Sequence, residues 1–271
     1  MQCFTPFRVG TNRIGRLVVG GIPTWSPSDF TNVQYWWTAD AGVSESGGVV
    51  SVWTDQINSF DMEQPITGNR PTLSTQAGLN GENVISFDGV DDFLHASTST
   101  DNAGADLTHL VIYYISNTSP GAGVIFGDSL IGGNVGRVWL DGLSGNLRNW
   151  EAMATNSPFD GTGYIIESPM TTGAKSWKYR YDSSAGDFFT AYNTLTETSQ
   201  FTGGRTSASI NSGAVKAMGA TLNNVSNPTV FSSRYIEVDI AEAVVIYGSP
   251  TSQEMTNWKT YVNNKYGTII S

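Results

Sequence analysis

Cysteine, histidine and long apolar runs are scarce in this 271-residue sequence. A single cysteine, Cys3, excludes an intramolecular disulfide. The two histidines, His95 and His109, stand in no spacing typical of a metal site. No stretch approaches the ~18 apolar residues that a membrane-spanning helix needs. Disulfide scaffolds, histidine-based metal enzymes and membrane-inserted helices are therefore not expected.

Positive charge is also scarce, with 14 Lys and Arg against 24 Asp and Glu and a formal net charge of −10. Nucleic-acid binding depends on basic residues that neutralise phosphates, and anionic membranes attract polybasic segments. We therefore expect neither nucleic-acid binding nor membrane insertion. Residues 1–28 differ, because Arg8, Arg13 and Arg16 precede the first acidic residue, Asp29. These arginines also interrupt any signal-peptide core, so synthesis in a cytoplasm without secretion is expected.

What the chain has is glycine and aromatic residues: Gly 30, Trp 8, Tyr 11 and Phe 12. This composition favours strands and tight turns. Residues 33–40, 49–55 and 110–115 have strand-like patterns, and Lys175–Tyr181 alternates between aromatic and polar side chains. With no composition break or fixed repeat, we predict an extended N-terminal docking arm over 1–28 and a single β domain over 29–271.

The stretch 84–94 combines apolar alternation with an Asp-Gly pair. Glycine adopts a positive φ without steric cost, so Gly89 predicts a tight turn. The carboxylates of Asp88, Asp91 and Asp92 are typical turn-formers that accept hydrogen bonds from backbone N–H groups. We predict a β-hairpin here.

The C-terminal segment has the clearest local signals. Residues 236–247 predict a long strand, and the Thr-Ser-Gln-Glu run from Thr251 to Glu254 matches a capping box. Apolar residues then recur at helical spacing until Gly267, which is placed to end a helix. The sequence therefore predicts one short C-terminal helix after the last strand.

Several motifs together carry a resemblance to a known family. They are, in chain order, Trp37-Thr38-Ala39-Asp40, the Val50–Asp55 segment, Arg70-Pro71-Thr72-Leu73, the Phe-Asp-Gly-x-Asp-Asp-x-Leu run from Phe87 to Leu94 after Asn80-Gly81, Ile240-Ala241-Glu242, and Lys265-Tyr266-Gly267. In this order they resemble laminin-G-like, concanavalin A-like jelly-roll domains of phage virion and bacterial surface proteins. The resemblance implies an all-β jelly-roll β-sandwich with one short C-terminal helix.

The resemblance also implies a function. We expect a non-enzymatic virion surface protein, that is, a phage decoration, fibre or adhesin component, made in the host cytoplasm. A bacterial cell-surface location is the alternative. Arg8, Arg13 and Arg16 would dock the arm on other virion proteins, although the arm could equally pair as an edge strand of its own domain. A homo-oligomer is expected, with host-surface carbohydrate as the ligand if one is bound.

Carbohydrate binding would require an exposed aromatic ring for stacking, with polar side chains beside it. Trp139, Asn149, Trp150 and Tyr164 lie near Gly-rich loops and are the candidates. The competing interpretation is that these rings fill the core of the sandwich.

A calcium ion is the one cofactor that we consider. Asp88, Asp91 and Asp92 would supply hard oxygen ligands, and some domains of the resembled family hold calcium at loop carboxylates. The turn-forming role is the simpler interpretation, because the sequence shows no complete ligand set. We otherwise expect no metal and no cofactor.

A rival function is polysaccharide hydrolysis. Residues 237–242 resemble the Glu-x-Asp-x-x-Glu motif of laminarinase- and lichenase-type jelly-roll enzymes, with Glu237 and Glu242 as the catalytic pair. In a regular strand these residues would lie ~16 Å apart and on opposite faces, so a bulge would be required. We therefore keep this as the alternative, with no catalytic residue in the main prediction.

Overall fold

The structure is a computed structural model of the chain. It describes residues 25–96, 106–128, 137–143, 145–152, 162–167, 169–201, 216–222 and 230–271. Arg8, Arg13 and Arg16 lie outside the described residues, so their docking role stays a prediction. The division of the chain at residue 28 also stays a prediction.

The described residues form strands and one α-helix, with short 3-10 turns at 27–29, 67–69 and 77–79. The elements are β1 (Val33–Thr38), β2 (Val43–Ser46), β3 (Val49–Thr54), β4 (Asp61–Glu63), β5 (Thr72–Gln76), β6 (Glu82–Asp88), β7 (Leu94–Ala96), β8 (Leu107–Ile115), β9 (Gly123–Asp128), β10 (Arg137–Leu143), β11 (Asn146–Ala152), β12 (Thr162–Glu167), β13 (Gly173–Asp182), β14 (Asp187–Tyr192), β15 (Thr198–Phe201), β16 (Lys216–Met218), β17 (Ala220–Leu222), β18 (Val230–Tyr235), β19 (Glu237–Ile246) and α1 (Ser252–Tyr266).

All the described strands except β17 and β18 form two antiparallel layers, and β17 and β18 pair with each other as a separate two-stranded sheet. In the first layer the order is β15, β14, β13, β8, β19, and the free edge of β19 is shared end to end by β6 and β1, with β5 outside β6. In the second layer the order is β2, β3, β4, β7, β16, β9, β10, β11, β12. The layers connect where Val49 of β3 pairs with Thr72 of β5. The predicted all-β sandwich with a C-terminal helix is thereby confirmed.

The two-residue alternation in the sequence correctly predicts which side chains of β1 and β13 face the core. Trp36 and Trp37 point to opposite faces of β1, as the two-residue period of a strand dictates. Trp37 is buried between the layers, whereas Trp36 packs in a second cluster on the outer face of the first layer. Trp177 and Tyr181 of β13 likewise lie in the main core.

Helix α1 covers one end of the outer face of the first layer. Its buried residues Met255, Trp258 and Val262 pack against Val244 of β19 and other outer-face residues. The capping box is present: the Thr251 hydroxyl accepts a hydrogen bond from the Glu254 N–H, and Glu254 reaches back to the Thr251 N–H. Within the described residues, no helix is long and apolar enough to cross a membrane.

The hairpin predicted over 84–94 is wrong. β6 pairs with β5 and β19 in the first layer, whereas β7 pairs with β4 and β16 in the second. The intervening residues therefore form a corner between layers instead of a two-stranded turn. The local signal is the same in both cases, because both need a sharp turn at Gly89, which has φ +75°.

Candidate functional site

A β-bulge at Ala241 sets the faces of β19. The register passes from the pair Ile240–Tyr113 to the pair Glu242–Ile112, so Ala241 is an extra residue on this strand. The bulge lies where the neighbour on the other edge changes from β6 to β1. Bulges re-aim the side chains that follow them.

The bulge brings Glu237, Asp239 and Glu242 to the same outer face of the sheet. The partners on β8 confirm this for Asp239 and Glu242, since Tyr114 and Ile112 both belong to the outer cluster. Glu237 lies two residues before Asp239 and therefore on the same face of the strand. The bulge that the Glu-x-Asp-x-x-Glu interpretation requires is therefore present, and both glutamates lie on one face. The two glutamates nevertheless lie in different surroundings, because α1 covers only one end of this face.

Glu242 is completely buried beneath α1. The indole N–H of Trp36 donates to Oε1, the Tyr261 hydroxyl donates to Oε1 at 3.0 Å, and the Tyr266 hydroxyl donates to Oε2 at 2.6 Å. The Lys265 ammonium is 3.7 Å from Oε2 and 2.8 Å from Asp40 Oδ2.

Burial raises the pKa of Glu242, and the charge of Lys265 and the three donors offset part of that rise. A carboxylate held by three hydrogen-bond donors and a nearby ammonium group under a helix has no access to a polysaccharide. The pair Glu237/Glu242 therefore does not form a catalytic site, and the role of Glu242 is to anchor α1 to β19 and β1.

The other end of the same face is open and forms a cleft with a volume of about 520 Å³. It is bordered by β5, β6, β8 and β19 and by the loops that precede β5 and follow β6. The described lining residues are Gly68, Arg70, Thr72, Ser86, Phe87, Asp88, Asp91, Asp92, Ser116, Glu237 and Asp239. Glu237 is thus the member of the predicted pair that faces an accessible cavity.

The corner after β6 shapes one wall of the cleft. Asp88 Oδ1 accepts hydrogen bonds from the backbone N–H groups of Val90, Asp91 and Asp92, at 2.8, 3.2 and 3.4 Å. The predicted turn-forming role of Asp88 is confirmed. Asp92 Oδ2 in turn accepts from the Asp88 N–H at 3.2 Å.

Asp92 is a buried carboxyl group of the cleft with a perturbed pKa. Burial raises its pKa to about 7, and the negative charges of Asp88 and Asp91 add to the rise. The backbone N–H of Asp88 offsets part of it. A carboxyl group with this pKa in a cleft is a functional-site candidate, because it can hold a proton near neutral pH and still release it. Sequence reasoning treated Asp92 only as a turn or calcium residue.

Glu237, on β19, is held by two hydrogen-bond donors. The Ser116 hydroxyl donates to Oε1 at 2.7 Å, and the Asn117 amide donates to Oε2 at 3.4 Å. Asp239, the next outer-face residue, accepts from the Gln76 amide at 2.6 Å. Both carboxylates are only partly buried, so they can contact a ligand in the cleft.

One carboxylate oxygen from each of Asp88, Asp91 and Asp92 lies within 4.8 Å of the others. Three hard oxygen ligands in such a group suit a divalent cation such as calcium. The geometry is compatible with the calcium alternative, which stays a prediction.

The four predicted sugar-binding residues lie on the three neighbouring strands β10, β11 and β12. Trp139 is opposite Trp150, and Asn149 is opposite Tyr164. Their backbones are thus adjacent, but their side chains lie outside the described residues. Their role stays a prediction.

No protein-family model matches the chain, and no curated protein matches it. Solved structures do share the fold. An arabinofuranosidase complexed with arabinofuranosyl-α-1,2-xylobiose aligns at TM-score 0.51 and 13% identity, over 82% of this chain and 51% of that one. Trypanosoma rangeli sialidase aligns at TM-score 0.50 and 10% identity, over 91% of this chain and 36% of that one. Mouse laminin α1 domains LG4-5 align at TM-score 0.46 and 13% identity, over 66% of this chain and 44% of that one.

These matches correct one expectation. The structures matched at TM-scores of 0.50 and above include glycoside hydrolases, so the prediction that the chain is not an enzyme is wrong. At 10–13% identity the likeness shows the shared β-sandwich fold, and the chain spans about half or less of the matched proteins. The chemistry therefore has to be argued from the residues of the cleft.

Proposed function

We propose that the chain is a glycoside hydrolase that cleaves a polysaccharide in the cleft between the 88–92 corner and β19. The observation that carries the proposal is Asp92, a carboxyl group with a pKa raised to about 7, in the same open cleft as the carboxylate of Glu237. Glycoside hydrolysis uses two carboxyl groups in different protonation states on either side of the scissile bond.

In this proposal Asp92 is the general acid. Its Oδ2 already accepts the Asp88 N–H, which leaves Oδ1 to carry the proton. Donation of that proton to the glycosidic oxygen would assist departure of the leaving sugar. The neighbouring charges of Asp88 and Asp91 keep the proton on Asp92 until a substrate oxygen accepts it.

Glu237 is the second carboxylate. Ser116 and Asn117 fix its orientation, so it can either attack the anomeric carbon or activate a water molecule. The first route retains and the second inverts the anomeric configuration, and NMR of the first product formed distinguishes them. Asp239 lies on the same face as Glu237 and next to Ser86, where it can accept hydrogen bonds from sugar hydroxyl groups.

Reducing-end release from a panel of polysaccharides tests the proposal. The variants Asp92→Asn and Glu237→Gln should each lose activity by about 10²–10⁴-fold, the usual contribution of one acid–base group. Glu45→Gln on β2 is the matched control, because Glu45 is exposed and outside the cleft. If both cleft variants were as active as the control, the proposal would be wrong.

The virion setting is a separate proposal. It is supported by the sequence alone, through the three arginines that precede the first acidic residue in a chain of formal net charge −10. Truncation of residues 1–24 tests it, with incorporation into particles as the readout. Normal incorporation of the truncated chain would contradict the docking role of Arg8, Arg13 and Arg16.

A further inference from the structure

The cleft is strongly asymmetric in charge. Its described lining contains five carboxyl groups and one basic residue, Arg70. The carboxyl groups belong to Asp88, Asp91, Asp92, Glu237 and Asp239. The other polar side chains of the described lining are those of Thr72, Ser86 and Ser116.

Arg70 is engaged in holding the loop that precedes β5. Its Nε donates to the Gln64 carbonyl at 2.7 Å, and its terminal N–H donates to the Pro65 carbonyl at 3.0 Å. The Gln64 side chain, which is buried, donates in turn to the Phe93 carbonyl beyond the corner. Two donors of the guanidinium group therefore hold this loop together, and the Gln64 side chain links the loop to the corner.

We propose that the substrate of this cleft is a polymer of amino sugars with free ammonium groups, and this inference rests on the proposed function. A substrate carboxylate or sulfate would enter a cavity whose exposed and half-buried groups are mostly negative, at an electrostatic cost. An ammonium group would be attracted by the same groups, and Asp88 and Asp91 stand at the accessible wall. Neutral sugars would meet neither effect.

Three oligosaccharides of equal length test the inference: a glucosamine oligomer, its fully N-acetylated form and an oligogalacturonate. Binding is measured by calorimetry at pH 5.5, where the amino groups of a glucosamine oligomer are protonated, and on the Asp92→Asn protein, which prevents turnover. We expect the glucosamine oligomer to bind at least about tenfold more tightly than the acetylated form at 0.05 M salt. The difference should shrink towards 1 M salt, where the Debye length falls to about 3 Å. Equal affinities, or tighter binding of the oligogalacturonate, would overturn the inference.

The further change Asp91→Asn should reduce the preference for the glucosamine oligomer by about threefold, within the range of an exposed ion pair. Glu45→Gln should leave it unchanged, since Glu45 lies outside the cleft. Hydrolysis of the same probes by the unmodified protein is scored separately. Cleavage without a preference for ammonium groups would overturn the inference and keep the hydrolase proposal. Preferred binding of the ammonium form without cleavage would keep the inference about the ligand and overturn the hydrolase proposal.

Discussion

Glu237 lies directly opposite Asp88 in the antiparallel pair of β19 and β6. The next residue, Gly89, is packed so closely that a Cβ atom there would lie 2.8 Å from the Glu237 backbone nitrogen. The corner that carries Asp92 is therefore fixed against the strand that carries Glu237. This contact, between residues almost 150 positions apart, sets the two walls of the cleft.

Replacement of Gly89 by alanine should displace the corner. The backbone there has φ +75°, which strains any L side chain, and the new Cβ would also collide with Glu237. We expect at least a tenfold loss of hydrolysis, because small misplacements of catalytic groups are costly. Gly81→Ala is the matched control, since Gly81 has the same φ but open space around it. Equal loss of activity in both variants would show that the Glu237 contact is unimportant.

Hydrolysis should depend on the proton of Asp92. Its pKa is about 7, so activity should fall about tenfold for each pH unit well above that value. The charged groups that act on Asp92 are Asp88 and Asp91 on the corner, and the other charged residues of the described cleft lining are Arg70, Glu237 and Asp239. The pH profile of kcat/KM measures this fall in activity at alkaline pH. A profile that is flat between pH 6 and 9 would contradict the acid role of Asp92.

The free energy of unfolding should also depend on the proton of Asp92. Because the pKa of Asp92 is raised from 3.8 to about 7 on folding, the folded state binds the proton more tightly than the unfolded state. This contribution is fully present below pH 3.8 and is lost as the pH rises through 7. Asp92→Asn should therefore gain stability relative to the unmodified protein between pH 4 and 8. Urea unfolding at several pH values measures the difference, and a constant difference would contradict the raised pKa.

Glu242 should matter for stability rather than catalysis. Glu242→Ala would leave Lys265 and the hydrogen bonds of Trp36, Tyr261 and Tyr266 without their buried acceptor. We expect the free energy of unfolding to fall by about 3–5 kcal/mol, as for one partner removed from a buried ion pair. Glu45→Ala, at an exposed site where the carboxylate accepts one hydrogen bond from the Gly48 N–H, should lower it by no more than about 1.5 kcal/mol. A similar small effect at Glu242 would contradict the anchoring role.

The sequence predicts much of this fold because its signals are local. The alternation at Trp36 and Trp37 determines which side chain enters the core, and the capping box at Thr251 determines where α1 begins. The corner after β6 was mistaken for a hairpin, since an Asp-Gly turn looks the same whether the next strand pairs back or joins the other layer.

The candidate site was less predictable from the sequence, because it depends on how β6 pairs with β19 and on which part of the outer face α1 covers. Glu237 was a candidate from its motif, but its separation from Glu242 depends on where α1 covers the bulged strand. The role of Asp92 follows from burial beside Asp88 and from the pairing of β6 with β19, neither of which a local pattern shows. The Asp-Gly-x-Asp-Asp run and the Glu-x-Asp run were visible, and only the fold places them together.

The most direct test compares hydrolysis by four proteins: the unmodified chain, Asp92→Asn, Glu237→Gln and Glu242→Gln, each normalised to folded protein. The account predicts that the first two variants lose at least about 10²-fold and that Glu242→Gln keeps the unmodified rate per folded molecule. An inactive Glu242→Gln beside an active Asp92→Asn would contradict it, and would return catalysis to the Glu237/Glu242 pair.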